Sequence, residues 1–446
     1  MRKILIKNAS LVNENKISQK DLFIKDEYIF KIADRIEKVD VDKTIDAKGL
    51  YLIPGWIDDQ VHFREPGLVH KGNISSESKA AVAGGITSYI EMPNTLPQTT
   101  TEKDLDDKID IASKNSYANF SFLFGGTNYN IDDIRNFDKK KAAGLKLFLG
   151  SSTGNMLVDD LDVLKKIFLA TNLPIAVHCE DEDIIRENLK KYKELYGKDI
   201  PVEEHYKIRS EKACYMSSKR AIALAKETGA RLHVFHLSTA IETELFQNNI
   251  PIEEKKITSE VCVHHLWFSE KDYHEKGNFI KWNPSIKKHS DQLALWEALN
   301  DDRIDILATD HAPHLEREKN LDYVNCPSGG PMVQHALPAM LTAHKRGKIS
   351  LEKIVEKACH NPAKLFKIKK RGFLREGYFA DLVLIDLEKK NKVLKDSLLY
   401  LCGWSPFEGT TFDASVITTF INGRIVYDFG KIVSKPCGKR LEFDRN

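Results

Sequence analysis

At 446 residues the chain is too long for a lone small module; at roughly 150 residues per domain it fits two or three domains, or one large barrel with a satellite. Hydrophobic residues make up 42% and charged residues 30%, which allows a sizeable core under a solvated surface and excludes disorder as the main state. Sixty-seven Lys and Arg nearly balance 65 Asp and Glu, and the net charge of +2 supplies no field for polyanions, so a nucleic-acid partner has no compositional support.

The opening stretch MRKILIKNASLVNENK lacks the apolar centre and small-residue cleavage site of a signal peptide, and no apolar run is long enough to span a bilayer. The expectation is a cytoplasmic protein with no membrane contact. Seven cysteines are scattered, odd in number and without a CxxC pair, which argues against a disulfide framework or a thiolate zinc site.

Residues 1–53 hold short β-type runs, ILIKNASLV, DLFIKDEYIFKIA and GLYLIP, between polar stretches. The same texture returns in GYFADLVLIDL and SVITTFINGRIVYDF, where Asn422 and Gly423 give a strong hairpin signal. Two β-rich ends, 1–53 and 372–446, thus enclose a different middle, 54–371. That middle alternates apolar runs with amphipathic stretches, and its eight candidate strands begin near Gly55, Ile86, Asn119, Gly144, Pro174, Arg231, Ile257 and Ile304. Stretches such as TEKDLDDKIDIASKN and EKACYMSSKRAIALAKETG are plausible crossover helices between parallel strands. Eight such units predict an α/β fold of the TIM-type (β/α)8 barrel class; a doubly wound sheet accepts the same alternation.

Unusual polar residues fall at the C-terminal ends of these strands, where a barrel builds its active site. In GWIDDQVH the two-residue period puts Asp58, Gln60 and His62 on one face; in GLKLFLG it sets Lys146 opposite Leu145, Leu147 and Leu149, so the lysine points inward. The fifth strand ends at His178, the sixth at His236 and the eighth at Asp310. Each alone has a bland reading, a hydrogen-bonded histidine or a helix cap. Together, at strand ends that converge, they need a cation, and imidazole with carboxylate suits zinc or a neighbouring divalent transition metal. An inward lysine among them is a deprotonated amine, a distant counter-ion, or a carbamate able to bridge two metals; a lysine salt-bridged to Asp58 or Asp310 is the structural alternative.

With these residues in view, the chain resembles the cyclic amidohydrolases and, within them, the dihydroorotases. PGWIDDQVHFREPG looks like the family's first metal motif, and MPNT, GLKLFLGSSTGNM, AVHCED, HVFHLST, KWNPSIK and ATDHAPH follow in the family's order. The resemblance implies a TIM-like barrel with a small β-sandwich from both chain ends. It implies that His62, carboxylated Lys146, His178, His236 and Asp310 hold one or two zinc ions per chain, with Asp310 also the general acid/base. It further implies that Arg64, Asn94 and His314 hold a substrate carboxylate while Asn283 and the backbone around Ser328 and Gly329 contact a pyrimidine ring. The implied activity is reversible zinc-dependent hydrolysis of (S)-dihydroorotate to N-carbamoyl-L-aspartate in pyrimidine biosynthesis, by a homo-oligomer (dimer or tetramer).

Read as residues, Arg64 offers a fork beside the metal for a carboxylate, or an ion pair with Glu65 or Asp58; Asn94 fits a turn equally well, and His314 a rim. His311, His264 and His265 are expected to back the ligands or to be structural, and PSGGP to be a glycine-bearing turn that brings backbone to the substrate, or simply a tight loop. The chain departs from the family at Gln60, which stands where the motif has its first histidine. An amide oxygen is a poorer zinc donor, so two metals, one metal, or a site without catalysis remain open. Dihydropyrimidinase or allantoinase shares the metal chemistry and differs in substrate charge; a non-catalytic scaffold is the reading of another class.

Overall fold

The eight apolar runs become eight parallel strands in the computed structural model, which describes residues 2–150 and 156–445. In barrel order these are Trp56–Val61, Ile86–Glu91, Asn119–Gly125, Gly144–Phe148, Ile175–His178, Leu232–Val234, Ile257–Cys262 and Ile306–Ala308. The SSTGN part of the fourth-strand motif, 151–155, lies outside the described residues. Each strand pairs in parallel with the next, and a bridge from Val61 to His311 ties the first to the eighth, so the sheet closes on itself. Thr309 reinforces that seam by donating its backbone N–H (3.1 Å) and hydroxyl (2.6 Å) to the Asp58 carboxylate.

The strands are apolar runs because both faces are covered, as a parallel barrel requires. Leu145 and Leu147 face outward into the core that includes Ile167 and Phe168 of the helix Leu161–Leu169. Lys146 faces inward, its Nζ 4.0 Å from the centre of the Phe235 ring. Deeper in the barrel Ile57, Ile90, Leu123, Ala176 and Ile306 belong to an apolar plug. The crossover helices start where short polar side chains can satisfy free N–H groups. Thr101 and Asp104 form a capping box on Glu102–Asn115, and Ser210 caps Glu211–Thr228, which stops at Gly229 in the left-handed region (φ 73°).

The two β-rich ends meet in one nine-stranded sheet. Its join is the antiparallel pairing of Leu382–Asp386 with Tyr51–Pro54, in which Leu384 faces Leu52. Asn422 and Gly423 turn the hairpin between Ser415–Ile421 and Arg424–Asp428 with φ of 47° and 71°, positive as a two-residue turn of this kind demands. Among the described residues no helix is long and apolar enough to cross a membrane, and all seven cysteines are free thiols.

Candidate active site

At the C-terminal mouth of the barrel a cavity of about 310 Å³ is lined by the residues to which the resemblance gives metal, proton-transfer or substrate roles: His62, Arg64, Asn94, Lys146, His178, His236, Asn283, Asp310, His314, Ser328 and Gly329. Gln60, Lys71, Phe148, Trp282, Ala312 and Pro327 complete the wall. The strands deliver these side chains from different directions. Three of them, Arg64 (φ 71°), His236 (φ 39°) and Asp310 (φ 46°), have left-handed backbone that residues with a Cβ adopt at a cost. His236 and Asp310 lie two residues past the ends of the sixth and eighth strands.

One side of the cavity carries lone pairs. The His178 ring lies between Glu180, whose carboxylate is 2.8 Å from Nε2, and His236, whose Nε2 is 3.0 Å from Nδ1. Glu180 also pairs with Arg209. Burial works to raise the Glu180 carboxyl, but Arg209 and His178 outweigh it and hold the group at about 2. A fixed carboxylate orients the imidazole with Nε2–H toward Glu180 and leaves Nδ1 bare, the support a histidine ligand needs. His62 is held in the same manner, with Nδ1 2.9 Å from Asn94 Oδ1 and Nε2 3.4 Å from Asp310 Oδ1. His236 Nδ1 is buried without a hydrogen-bond partner. Burial pushes His62, His178 and His236 below the usual imidazole range, so all three are neutral, the form that can ligate.

Lys146 is 1% exposed, and among the described residues no carboxylate lies within ion-pair distance of its Nζ. The salt bridge to Asp58 or Asp310 that a structural lysine would make is not formed. Its ammonium rests against the rings of Phe235 and Phe148, and burial lowers it to about 7. Asp310 moves the opposite way: burial raises it to about 7 against the pull of His178, Lys146 and Arg64. Bare imidazole nitrogens, an unpaired lysine and a buried carboxyl are a donor set that fits a zinc-type cation. Gln60 joins this set through its amide, donating to Asp310 Oδ1 at 3.3 Å.

The facing side is cationic. Arg64 is 5% exposed; its Nε donates to the Pro313 carbonyl (3.1 Å) and its Nη2 lies 3.1 Å from His314 Nε2. Neither suggested ion-pair partner holds it, since Glu65 accepts from the Ile74 N–H (2.9 Å) and Asp58 is engaged by Thr309. Lys71 donates to His314 Nδ1 (3.1 Å) and pairs with Glu318 at 3.2 Å, adding a second cation that sequence reasoning missed. His314 Nε2 is in turn 3.1 Å from the Ser328 carbonyl. Gly329 has φ 124°, and a Cβ there would come within 2.6 Å of the Ala312 carbonyl oxygen, so the PSGGP turn can reach the cavity only with glycine. His311 bridges Glu77 (2.8 Å) and the Met332 N–H (2.9 Å), His264 stacks on Trp282, and His265 bonds the Pro284 carbonyl; all three are structural.

The period-two reading of the first strand misses one feature. Its register against the second strand shifts between Asp58 and Val61. Asp59 therefore also enters the barrel, where its Oδ2 lies 3.3 Å from His233 Nε2.

A family profile described as "Amidohydrolase family" matches residues 51–426. A dihydroorotase of Methanosarcina acetivorans is 34% identical over 469 aligned positions, spanning 100% of this chain and 98% of that protein. An allantoinase of Desulfitobacterium hafniense is 30% identical, with 98% of each chain covered. Among solved structures, an L-hydantoinase (dihydropyrimidinase) from Arthrobacter aurescens superposes with a TM-score of 0.94 at 30% identity, covering 99% of this chain and 100% of that one.

Proposed function

We propose, from the premise that this chain belongs to the amidohydrolase family and is a cyclic amide hydrolase, that its substrate is dihydroorotate, opened reversibly to N-carbamoyl-L-aspartate. The observation that carries this reading is the buried, unpaired Arg64 fork beside His314 and Lys71, facing the ligand-bearing wall across a cavity of one small molecule's size. A buried guanidinium without a carboxylate partner is costly, and a substrate carboxylate repays that cost. Relatives named dihydroorotase at similar identity and full coverage agree with it.

In this reading His62, His178, His236, Asp310 and a carbamate on Lys146 would hold one or two zinc-type cations, with Gln60 standing where the family has an imidazole. When bound, a zinc-type cation supplies Lewis acidity at the ring carbonyl and a water acidified toward neutrality. Asp310 takes the proton as the water oxygen bonds to the carbonyl carbon, and returns it to the ring nitrogen as the C–N bond breaks. The same carboxyl, base in one direction, is acid in the other. Arg64, Asn94 and His314 hold the carboxylate so that the carbonyl meets the water in an aligned pose. Asn283 and the backbone at Ser328 and Gly329 line the remaining ring edge.

The hydantoinase and allantoinase relatives motivate a second reading, in which the ring is uncharged. Substrate charge separates the two. Arg64→Met is expected to lower kcat/KM for dihydroorotate by about 100-fold or more, the effect of removing a buried charged hydrogen bond of roughly 3 kcal/mol, and to leave turnover of hydantoin nearly unchanged. Equal losses on both rings would overturn the dihydroorotate assignment. No turnover of either ring by metal-loaded wild type would favour the scaffold.

A further inference from the structure

Beneath the mouth of the barrel, apart from the residues assigned above, three side chains from three strands meet: Asp59 of the first, His233 of the sixth and Glu260 of the seventh, each 0% exposed. Among the described residues they are the one set of three His, Cys, Asp or Glu side chains whose donor atoms all lie within 4.8 Å of one another. His233 Nε2 is 3.3 Å from both Asp59 Oδ2 and Glu260 Oε2. Charge-assisted N–H···O bonds run at about 2.7–2.9 Å, whereas donors held about 2.0–2.1 Å from a tetrahedral zinc stand about 3.3 Å apart. Both oxygens of Asp59 are buried without a hydrogen bond.

The histidine's tautomer supports the same conclusion. His233 Nδ1 lies 2.9 Å from Thr258 Oγ1, and that hydroxyl directs its own proton to the Leu232 carbonyl at 3.3 Å. Oγ1 therefore accepts the Nδ1–H, which turns Nε2 toward the two carboxylates, where it meets them through a shared cation or through a proton of its own. All three side chains are cut off from solvent, so ionised carboxylates here need a cation or a proton beside them. A divalent cation balances them, and the register shift that brings Asp59 inward is the device that builds the set.

We propose that Asp59, His233 and Glu260 form a further metal site for a divalent cation of the zinc type, inside the barrel and apart from the residues that line the catalytic cavity. Its occupancy reaches the mouth through Glu260, whose Oε1 accepts the backbone N–H of His236 at 3.2 Å. The competing occupant is a proton: burial lowers His233, but the two carboxylates outweigh it and raise the imidazole to about 9 when no metal is bound. The test is anomalous diffraction at the zinc edge on crystals of full-length protein produced with zinc, together with metal analysis of wild type and Asp59→Asn. The expected result is an anomalous peak between Asp59, His233 and Glu260, with Asp59→Asn losing that peak and one metal equivalent per chain while keeping density beside His178 and His236. A wild-type map with no peak between the three residues would overturn the proposal and make the cluster a proton store, as would a folded Asp59→Asn protein with undiminished metal content. Should the variant fail to fold, the wild-type map decides alone.

Discussion

At neutral pH a lysine held at about 7 is free amine for a large share of the time, and the free amine is the form that adds carbon dioxide. Lys146 also lacks an anionic partner and lines the same cavity as His178 and His236. Metal-loaded protein equilibrated with carbon-13 bicarbonate is therefore expected to show a carbamate carbon signal that Lys146→Met lacks, along with a lower metal content in the variant. A loaded wild type without that signal would leave the lysine as an amine. Asp310→Asn keeps the shape and removes the proton carrier, and kcat is expected to fall about 10²–10⁴-fold, the usual contribution of such a group. Retained kcat would assign the proton transfer elsewhere. These residues were legible because a charged or imidazole side chain at the end of an apolar strand has few structural uses. Lys71 and Glu180 were not, since a lysine in a loop and an acid two positions past a histidine carry no period. Asp59 was hidden by the alternation rule itself, which a register shift breaks without changing any residue type.

Among the elements, the second barrel strand ends on Glu91, which pairs with Lys108 of the helix Glu102–Asn115 at 2.8 Å with both side chains fully buried. Lys108 also donates to the Met92 carbonyl at 2.8 Å, fixing the turn that leads to Asn94. Removing one partner strands a charge, so Lys108→Met is expected to cost about 3–5 kcal/mol in denaturant unfolding, and adding Glu91→Leu to recover most of it. A double variant no more stable than the single one would contradict this. In the PSGGP turn, Gly329→Ala places a methyl 2.6 Å from the Ala312 carbonyl oxygen at φ 124°, and the expected outcome is a raised KM together with a lowered unfolding midpoint; an unchanged KM would separate the turn from the substrate. Strand starts were readable to within two residues because turn chemistry and helix caps bracket them, as at Thr101 and Ser210. Closure through Val61 and His311 was not, because the alternation of strands and helices is common to barrels and open sheets.

For the whole molecule, acid sensitivity follows from histidines kept neutral by burial. His265 and His335 are lowered to about 3 and His360 to about 4, against an ordinary value of 6.5. Between those limits the unfolded chain binds protons that the folded one refuses. This stabilisation is complete above about pH 6.5 and is lost as the pH falls toward 4, with a slope of up to about 1.4 kcal/mol per pH unit for each group. The urea midpoint is expected to drop from about pH 7 to about pH 5; a flat or rising midpoint would show that these imidazoles already take up protons in the native state. The sheet built from both ends adds a constraint in time. Leu52 leaves the ribosome early and finds Leu384 opposite it only when synthesis is almost over, so throughout translation the strand Tyr51–Pro54 presents a bare, pairing-competent edge. That interval exposes a nascent chain to mispairing with its neighbours on a polysome, and a holdase that covers residues 51–54 would be most useful then.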